Sequence, residues 1–192
     1  LTQHPRNPNL IFVGNEIGVY VSVNAGGQWV RLDNGLPTVP VDDIKIEPRE
    51  NDLVIGTHGR GIWIMDDITP LEELTPEAIT AEAHLFGIQP AVSYNRYTPQ
   101  GWTPGIFSAP NPPMGVRMRY HLAEDTDEVS LSIMDLRGQS IRRLEGTGNA
   151  GLNEVIWDLR IQEENSGDDV MNSGPRVLPG TYLVHLEAGN SV

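Results

Sequence analysis

The five residues Thr57-His58-Gly59-Arg60-Gly61 form the segment of this sequence best suited to binding a ligand. Glycines let a hairpin turn adopt positive φ angles, so His58 and Arg60 would project from the turn. A neighbouring imidazole and guanidinium can hold a carboxylate or the hydroxyls of a sugar. The alternative is structural: the glycines shape the loop, Arg60 pairs with Asp66 or Asp67, and His58 caps backbone groups. The sequence alone favours this structural alternative.

Neighbouring acidic residues raise the question of carboxylate chemistry, and three such pairs are Asp66-Asp67, Glu163-Glu164 and Asp168-Asp169. A glycosidase needs two carboxyl groups across the scissile bond, whereas adjacent residues on a strand point to opposite faces. We therefore predict a turn or cap role for Asp66-Asp67. The later pairs, or Asn24 with Asp33, carry the oxygen ligands that Ca²⁺ prefers but lack EF-hand spacing. Residues 163–172 have the composition of a solvated hairpin tip. No metal site and no cofactor is predicted.

Tryptophans offer a third kind of chemistry, because Trp63, Trp102 and Trp157 could form a platform on which a sugar ring stacks. Trp29 and Trp157 occupy strand-like segments where core packing is expected, so both are predicted to be buried. Trp102, in a proline-rich stretch, stays a ligand-binding candidate together with His58 and Arg60. The sequence has no serine-hydrolase, zinc-protease, phosphate-loop or dinucleotide fingerprint. No catalytic residue is predicted.

The composition excludes several classes of function. The 192 residues carry a formal net charge of −13, and nucleic-acid binding requires the opposite, a cluster of cations. Cysteine is absent, which removes disulfides, thiolate nucleophiles and zinc–thiolate sites. No apolar run approaches the roughly 20 residues that cross a bilayer. Twenty glycines and fifteen prolines indicate short strands joined by many turns, with little helix.

An internal repeat places the candidate segment 57–61 between two predicted strands. Leu10–Gly14 followed by Gly18–Ser22 reappears as Leu53–Gly56 followed by Gly61–Met65, and Gly18 and Gly61 lie 43 positions apart. This spacing is close to the length of one four-stranded propeller blade. Strands are predicted near 10–14, 18–23, 28–32, 42–47, 53–57 and 61–66. Asp66-Asp67 and Pro70 interrupt the pattern where a fourth strand of the second copy would lie, so we expect an exposed sheet edge there.

The rest of the chain has two parts. Thr75-Pro76-Glu77 carries the N-cap and N1 residues of a short helix, and it opens a proline- and aromatic-rich linker over 71–114. Strict alternation resumes over 116–122. Further strands are predicted at Val129–Met134, Ile141–Leu144, Val155–Leu159 and Tyr182–Leu186. Short alternating strands at this spacing indicate an antiparallel, Ig-like β-sandwich over 115–192.

The segment from Ser22 to Trp29 resembles the Asp box of sialidase-type and sortilin-type propellers, S-x-D-x-G-x-x-W. Ser22, Asn24, Gly26 and Trp29 occupy its defined positions, with Asn24 in place of the usual Asp. The resemblance implies a structural turn between the third and fourth strands of a blade. It predicts an all-β chain, two terminal blades of an incomplete β-propeller over 1–70 followed by the sandwich.

Longer segments resemble the C-terminal part of large exported bacterial proteins with sortilin-like (BNR) repeats, and the end of the chain resembles the Ig-type module of flagellar hook-capping proteins. They include 52–63, 111–115, 151–160 and 178–182. The resemblance implies a fragment of an extracytoplasmic, periplasmic or secreted, protein with a non-catalytic role that binds proteins or glycans. The alternative it leaves open is a propeller-type glycoside hydrolase with its carboxylates on blades absent from this chain. We also expect self-association through exposed blade edges, or packing of the blades against the linker.

Overall fold

A computed structural model describes residues 1–33, 35–93, 113–162 and 174–189, and its contacts divide the chain into two units, Leu1–Gly87 and Ile88–Val192. Strands dominate both units, and the helices of the described residues are one turn long, so the all-β prediction is confirmed. In chain order the first unit contains β1 (Thr2–Gln3), β2 (Ile11–Asn15), β3 (Gly18–Ser22), β4 (Val30–Leu32), β5 (Val41–Glu47), β6 (Asp52–Thr57), β7 (Ile62–Met65), α1 (Thr69–Glu72), α2 (Pro76–Thr80) and β8 (Ala83–Leu85). The second contains β9 (Val116–Leu122), β10 (Val129–Met134), β11 (Ser140–Glu145), β12 (Gly151–Trp157) and β13 (Leu183–Ala188).

The first unit consists of two antiparallel meanders. Sheet 1 has the order β1-β2-β3-β4, and sheet 2 has the order β5-β6-β7. The six strands predicted from the repeat are all present, within about two residues of the expected ends. Sheet 2 also lacks a fourth strand among the described residues, as the interruption at Asp66-Asp67 predicted.

One face of sheet 1 packs on one face of sheet 2. Phe12, Val19 and Val21 form a single core cluster with residues of sheet 2 that include Ile44 and Ile55. Gly14 permits this approach, because a Cβ built on it would lie 2.5 Å from the Cγ1 of Val41 in β5. Glycine is thus required at this position of β2 by the neighbouring sheet.

The chain leaves sheet 2 through a turn and two short helices. Asp67 has a φ of +50°, and its Oδ1 accepts hydrogen bonds from the N–H and the hydroxyl of Thr69 at 3.2 and 2.5 Å. The turn role predicted for this carboxylate is confirmed. The helix predicted at Thr75 is present as α2, and the Thr75 hydroxyl accepts from the N–H of Ala78 at 3.2 Å.

The second unit contains a sheet with the order β11-β10-β13 and an antiparallel pair of β9 and β12. Met118, Tyr120 and Leu122 alternate along β9 and are buried, and Leu131 and Ile133 of β10 are buried as well. The buried hydroxyl of Tyr120 donates to the carbonyl of Thr147 at 2.7 Å. The strands predicted from alternation over 116–186 are all present, with β12 beginning four residues earlier than expected.

Candidate functional site

The loop at residues 57–61 connects β6 to β7 and has the conformation that its glycines suggested. Gly59 and Gly61 have φ angles of +75° and +76°. The N–H and hydroxyl of Thr57 both donate to the carbonyl of Gly61, at 3.1 and 2.6 Å, and close the base of the loop. The N–H of His58 donates to the carbonyl of Pro40 at 2.9 Å, which fastens the loop to the start of β5.

His58 and Arg60 are both exposed on this loop. The Nδ1 of His58 lies 3.4 Å from Oδ2 of Asp42, and their side chains are 78% and 62% exposed. A carboxylate therefore lies beside the imidazole. It belongs to Asp42, whereas the sequence had suggested Asp66 or Asp67 as the acidic partners of this loop. Arg60 is exposed, and its backbone carbonyl accepts from Nε1 of Trp63 at 3.2 Å. Exposed side chains such as His58 and Arg60 are suited to weak binding of a polar ligand.

The tryptophans do not form one platform. Trp63 is half-buried in the core between sheets 1 and 2. Trp157, in the second unit, is 2% exposed, as predicted, and packs edge-on against Tyr182 with ring centroids 5.5 Å apart. The prediction that Trp29 is buried is wrong: it is 41% exposed. Trp102 lies outside the described residues.

Trp157 and Tyr182 line an apolar groove of about 490 Å³ in the second unit, together with Val116, Leu159 and Leu178. The Nε1 of Trp157 donates to the carbonyl of Arg160 at 2.9 Å, so its polar atom is already used within the chain. The groove therefore offers a mainly apolar surface, to which the Trp157 ring contributes no free hydrogen-bond donor.

The Ser22–Trp29 turn connects β3 to β4 and is held by two side chains. The Asn24 Oδ1 accepts from the hydroxyl of Ser22 at 2.9 Å and from the N–H of Gln28 at 2.8 Å. The Ser22 hydroxyl oxygen in turn accepts from the N–H of Gly26 at 2.8 Å. Ala25 and Gly26 have positive φ angles of 56° and 91°, which make the tight reversal. These bonds use the side chains of Ser22 and Asn24 within the turn, so their role here is structural.

Asn24→Asp is expected to leave the stability of sheet 1 unchanged, because the carboxylate keeps the Oδ1 acceptor. Asn24→Ala removes it and is expected to cost about 1 kcal/mol, since two donors lose their partner. Amide hydrogen exchange in β3 and β4 measures both effects. Gln28→Ala is the control, because only the backbone of Gln28 takes part in the turn. Equal losses for Asn24→Asp and Asn24→Ala would contradict the acceptor role.

A buried polar cluster that sequence analysis missed joins three distant segments of the first unit. The side chain of His4 is fully buried, and its Nδ1 accepts from the N–H groups of Arg6 and Asn7 at 3.3 and 3.2 Å. Its Nε2 lies 2.9 Å from Oδ1 of Asn51 and donates to it, because Nδ1 is the acceptor. The amide of Asn51 donates onward to Thr69 Oγ1 at 3.2 Å and to Glu72 Oε2 at 3.0 Å. The cluster thus holds residues 4–7 and α1 to the β5–β6 turn.

Arg6 closes the cluster from the solvent side. Its Nε and a terminal nitrogen donate to the two oxygens of Glu72 at 2.9 and 2.7 Å, a bidentate pair. The hydrogen bond from Arg6 holds the pKa of the Glu72 carboxyl below its usual range, against the opposing effect of burial. The same bond raises the pKa of Arg6. The charged form of Glu72 is therefore favoured by folding.

Glu72→Gln is expected to lower the free energy of unfolding of the first unit by about 1 kcal/mol at neutral pH, because Arg6 is half-exposed and the pair is partly screened. Since folding lowers the pKa of Glu72, its contribution is complete above the usual carboxyl pKa and disappears as pH falls through the lower folded-state value. Denaturation at a series of pH values should show the variant and the parent converging in acid. Glu50→Gln, which removes an exposed carboxylate paired with Arg49 at 3.0 Å, should produce a much smaller change.

The cluster stabilises the fold and is not arranged as a reaction centre. His4 and Asn51 are 2% and 1% exposed, so a substrate cannot reach them without unfolding of the segment that covers them. Across the ranges that the structure describes, no group of three or more His, Cys, Asp or Glu side chains is placed to hold a metal ion. The acidic run at 163–172 lies outside these ranges. None of the helices in the described part of the chain has the length and apolar character needed to span a bilayer.

No protein-family model, curated protein or solved structure matches this chain.

Proposed function

We propose that this chain is the end of a sortilin-like (BNR) β-propeller joined to an Ig-like β-sandwich, within an exported protein, and that its role is non-catalytic. The observation that carries the proposal is the Ser22–Trp29 turn. It connects the third and fourth strands of a four-stranded meander, and its hydrogen bonds run through Ser22 and Asn24, the positions shared with the Asp box. A second antiparallel meander, of three strands, follows at the repeat distance and supports a blade-like assignment.

A binding role is favoured over catalysis because two carboxylates of the first unit are already used within the fold. Asp67 serves the turn before α1, and Glu72 is held by Arg6 and Asn51. The loop at 57–61 is the candidate contact surface, with an exposed imidazole, guanidinium and carboxylate from His58, Arg60 and Asp42. The Arg60 guanidinium can hold the carboxylate of an acidic peptide or an acidic sugar, and the Asp42 carboxylate beside His58 opposes it, so the affinity is low.

Titration of isotope-labelled protein with acidic oligosaccharides and acidic peptides, followed by amide NMR shifts, tests this role. We expect shifts centred on residues 57–61, and their loss in Arg60→Ala. Arg49→Ala is the matched control, since Arg49 is also an exposed arginine, on the β5–β6 turn. If the shifts persist in Arg60→Ala, the ligand binds at a surface other than the loop at 57–61. Release of reducing ends from β-glucans or sialosides by this chain would contradict the non-catalytic proposal.

A further inference from the structure

The loop at residues 57–61 places one titratable side chain, His58, beside a carboxylate. The Nδ1 of His58 lies 3.4 Å from Oδ2 of Asp42, and both side chains are exposed. A usual N–H···O hydrogen bond spans about 2.7 to 3.2 Å, so this longer contact becomes an ion pair only when the imidazole carries a proton. Histidine is the side chain whose charge ordinarily changes between about pH 5 and 8. The charge beside Asp42 therefore depends on pH.

The backbone conformation of the loop does not depend on that proton. The N–H of His58 donates to the carbonyl of Pro40 at 2.9 Å, and the N–H and hydroxyl of Thr57 both donate to the carbonyl of Gly61. None of these hydrogen bonds uses the imidazole ring. Protonation of His58 thus changes the charge of a loop whose shape is already fixed by other groups.

The charged residues of the flanking strands are paired with one another or lie at the far end of sheet 2. Asp43 and Lys45 of β5 form an ion pair at 3.5 Å. Glu47 of β5 and Asp52 of β6 are opposite each other at the end of the strands remote from the loop. β7 has the sequence Ile-Trp-Ile-Met and carries no charge. In this described part of the chain, the charge that a ligand meets at the loop comes from the three side chains of the contact surface.

We propose that protonation of His58 strengthens the binding of a carboxylate at Arg60, so that the loop holds an acidic ligand more tightly at about pH 5.5 than at about pH 8. This inference rests on the proposed binding role of the loop. While His58 is neutral, the charges of Arg60 and Asp42 cancel, and the added proton leaves a surplus of one positive charge. The carboxylate of an acidic ligand ordinarily titrates near about pH 4 and stays charged over this range.

The distances within the loop are short enough for this effect. His58 and Arg60 are two positions apart, so their Cα atoms are separated by at most about 7 Å. Charges in water are screened over about 8 Å at physiological ionic strength. A carboxylate bound to Arg60 is therefore attracted by the protonated imidazole, and added salt should weaken that attraction.

Titration of the isotope-labelled chain with tetraglutamate, followed by amide NMR shifts at about pH 5.5 and about pH 8, tests the proposal. We expect the dissociation constant to be about threefold larger at the higher pH, and the ratio to fall towards one in added salt, because the charges are exposed. Tetraglutamine, a neutral peptide of the same length, should not bind at either pH. His58→Gln should bind tetraglutamate at both pH values with the affinity that the parent has at the higher one, since glutamine does not take up a proton.

Two further variants assign the effect to the His58–Asp42 pair. Asp42→Asn removes the opposing carboxylate and should raise the affinity for tetraglutamate at the higher pH by about threefold. His185→Gln is the matched control and should keep the pH dependence of the parent, since the side chain of His185 is 55% exposed and lies 3.6 Å from Oε1 of Glu187 in the second unit.

The outcomes separate this inference from the binding role on which it rests. Equal affinities of the parent at both pH values, or an unchanged pH dependence in His58→Gln, would overturn the role of His58 and leave the binding role standing. Absence of tetraglutamate binding at both pH values would contradict the binding role of the loop and this inference together.

Discussion

Asn51→Ala is expected to lower the free energy of unfolding of the first unit by about 3 to 4 kcal/mol, the largest effect predicted for any single substitution here. The side chain of Asn51 is the one group that touches His4, Thr69 and Glu72. Its removal takes away the acceptor 2.9 Å from the buried Nε2 of His4 and leaves the Oε2 of Glu72, 3.7 Å away, beyond hydrogen-bonding distance. Amide hydrogen exchange in β2 and β6 measures the loss separately from the second unit.

Asn51→Gly separates the two reasons for this loss. Asn51 has a φ of +60°, a conformation that asparagine and glycine tolerate better than alanine. The glycine variant should therefore recover about 1 kcal/mol relative to alanine and still lack the hydrogen bonds. Full recovery by glycine would mean that backbone conformation, and not the cluster, makes asparagine necessary at this position.

Gly14→Ala is expected to destabilise the first unit by about 2 kcal/mol, because the new methyl group would overlap Val41 and force sheets 1 and 2 apart. Gly56→Ala, at the equivalent position of the repeat, should be neutral or raise stability by about 0.5 kcal/mol, since its surroundings are open. Neither glycine has a positive φ, so the comparison isolates packing. Thermal and denaturant unfolding of the two variants provides the measurement, and equal destabilisation would contradict the packing argument.

Local pattern predicted the strands well. Alternation and the repeat placed β2, β3, β6 and β7 because each strand pairs with its neighbour along the chain, and the turn residues between them are visible in the sequence. Trp29 was wrongly predicted to be buried, because its exposure depends on the turn that precedes it and not on the alternation of residues along a strand. It follows the reversal at Ala25 and Gly26, and its ring lies against Gly26, where a built Cβ is 3.6 Å from Cζ2. β4 is an edge strand, so this ring stays partly in water.

The buried cluster was invisible in the sequence because its members lie far apart. His4 and Asn51 are separated by 47 positions, and Arg6 and Glu72 by 66. None of them falls in a motif, and a polar residue in a turn is ordinarily solvated. The loop at 57–61 was found because its residues are contiguous. Its partner Asp42 was not, since the contact arises only when β5 and β6 pair.

The 66-residue separation of Arg6 and Glu72 also sets an order of events during protein synthesis. Sheet 1 is complete when Leu32 has emerged, but the face that carries Phe12 and Val21 stays uncovered until sheet 2 has been made. The Arg6–Glu72 pair can form only after Glu72 has also been made. At translation speeds of about 5 to 20 residues per second, the forty residues after Leu32 take about 2 to 8 s. During that interval the apolar side chains of Phe12 and Val21 have no partner sheet in the part of the chain already made.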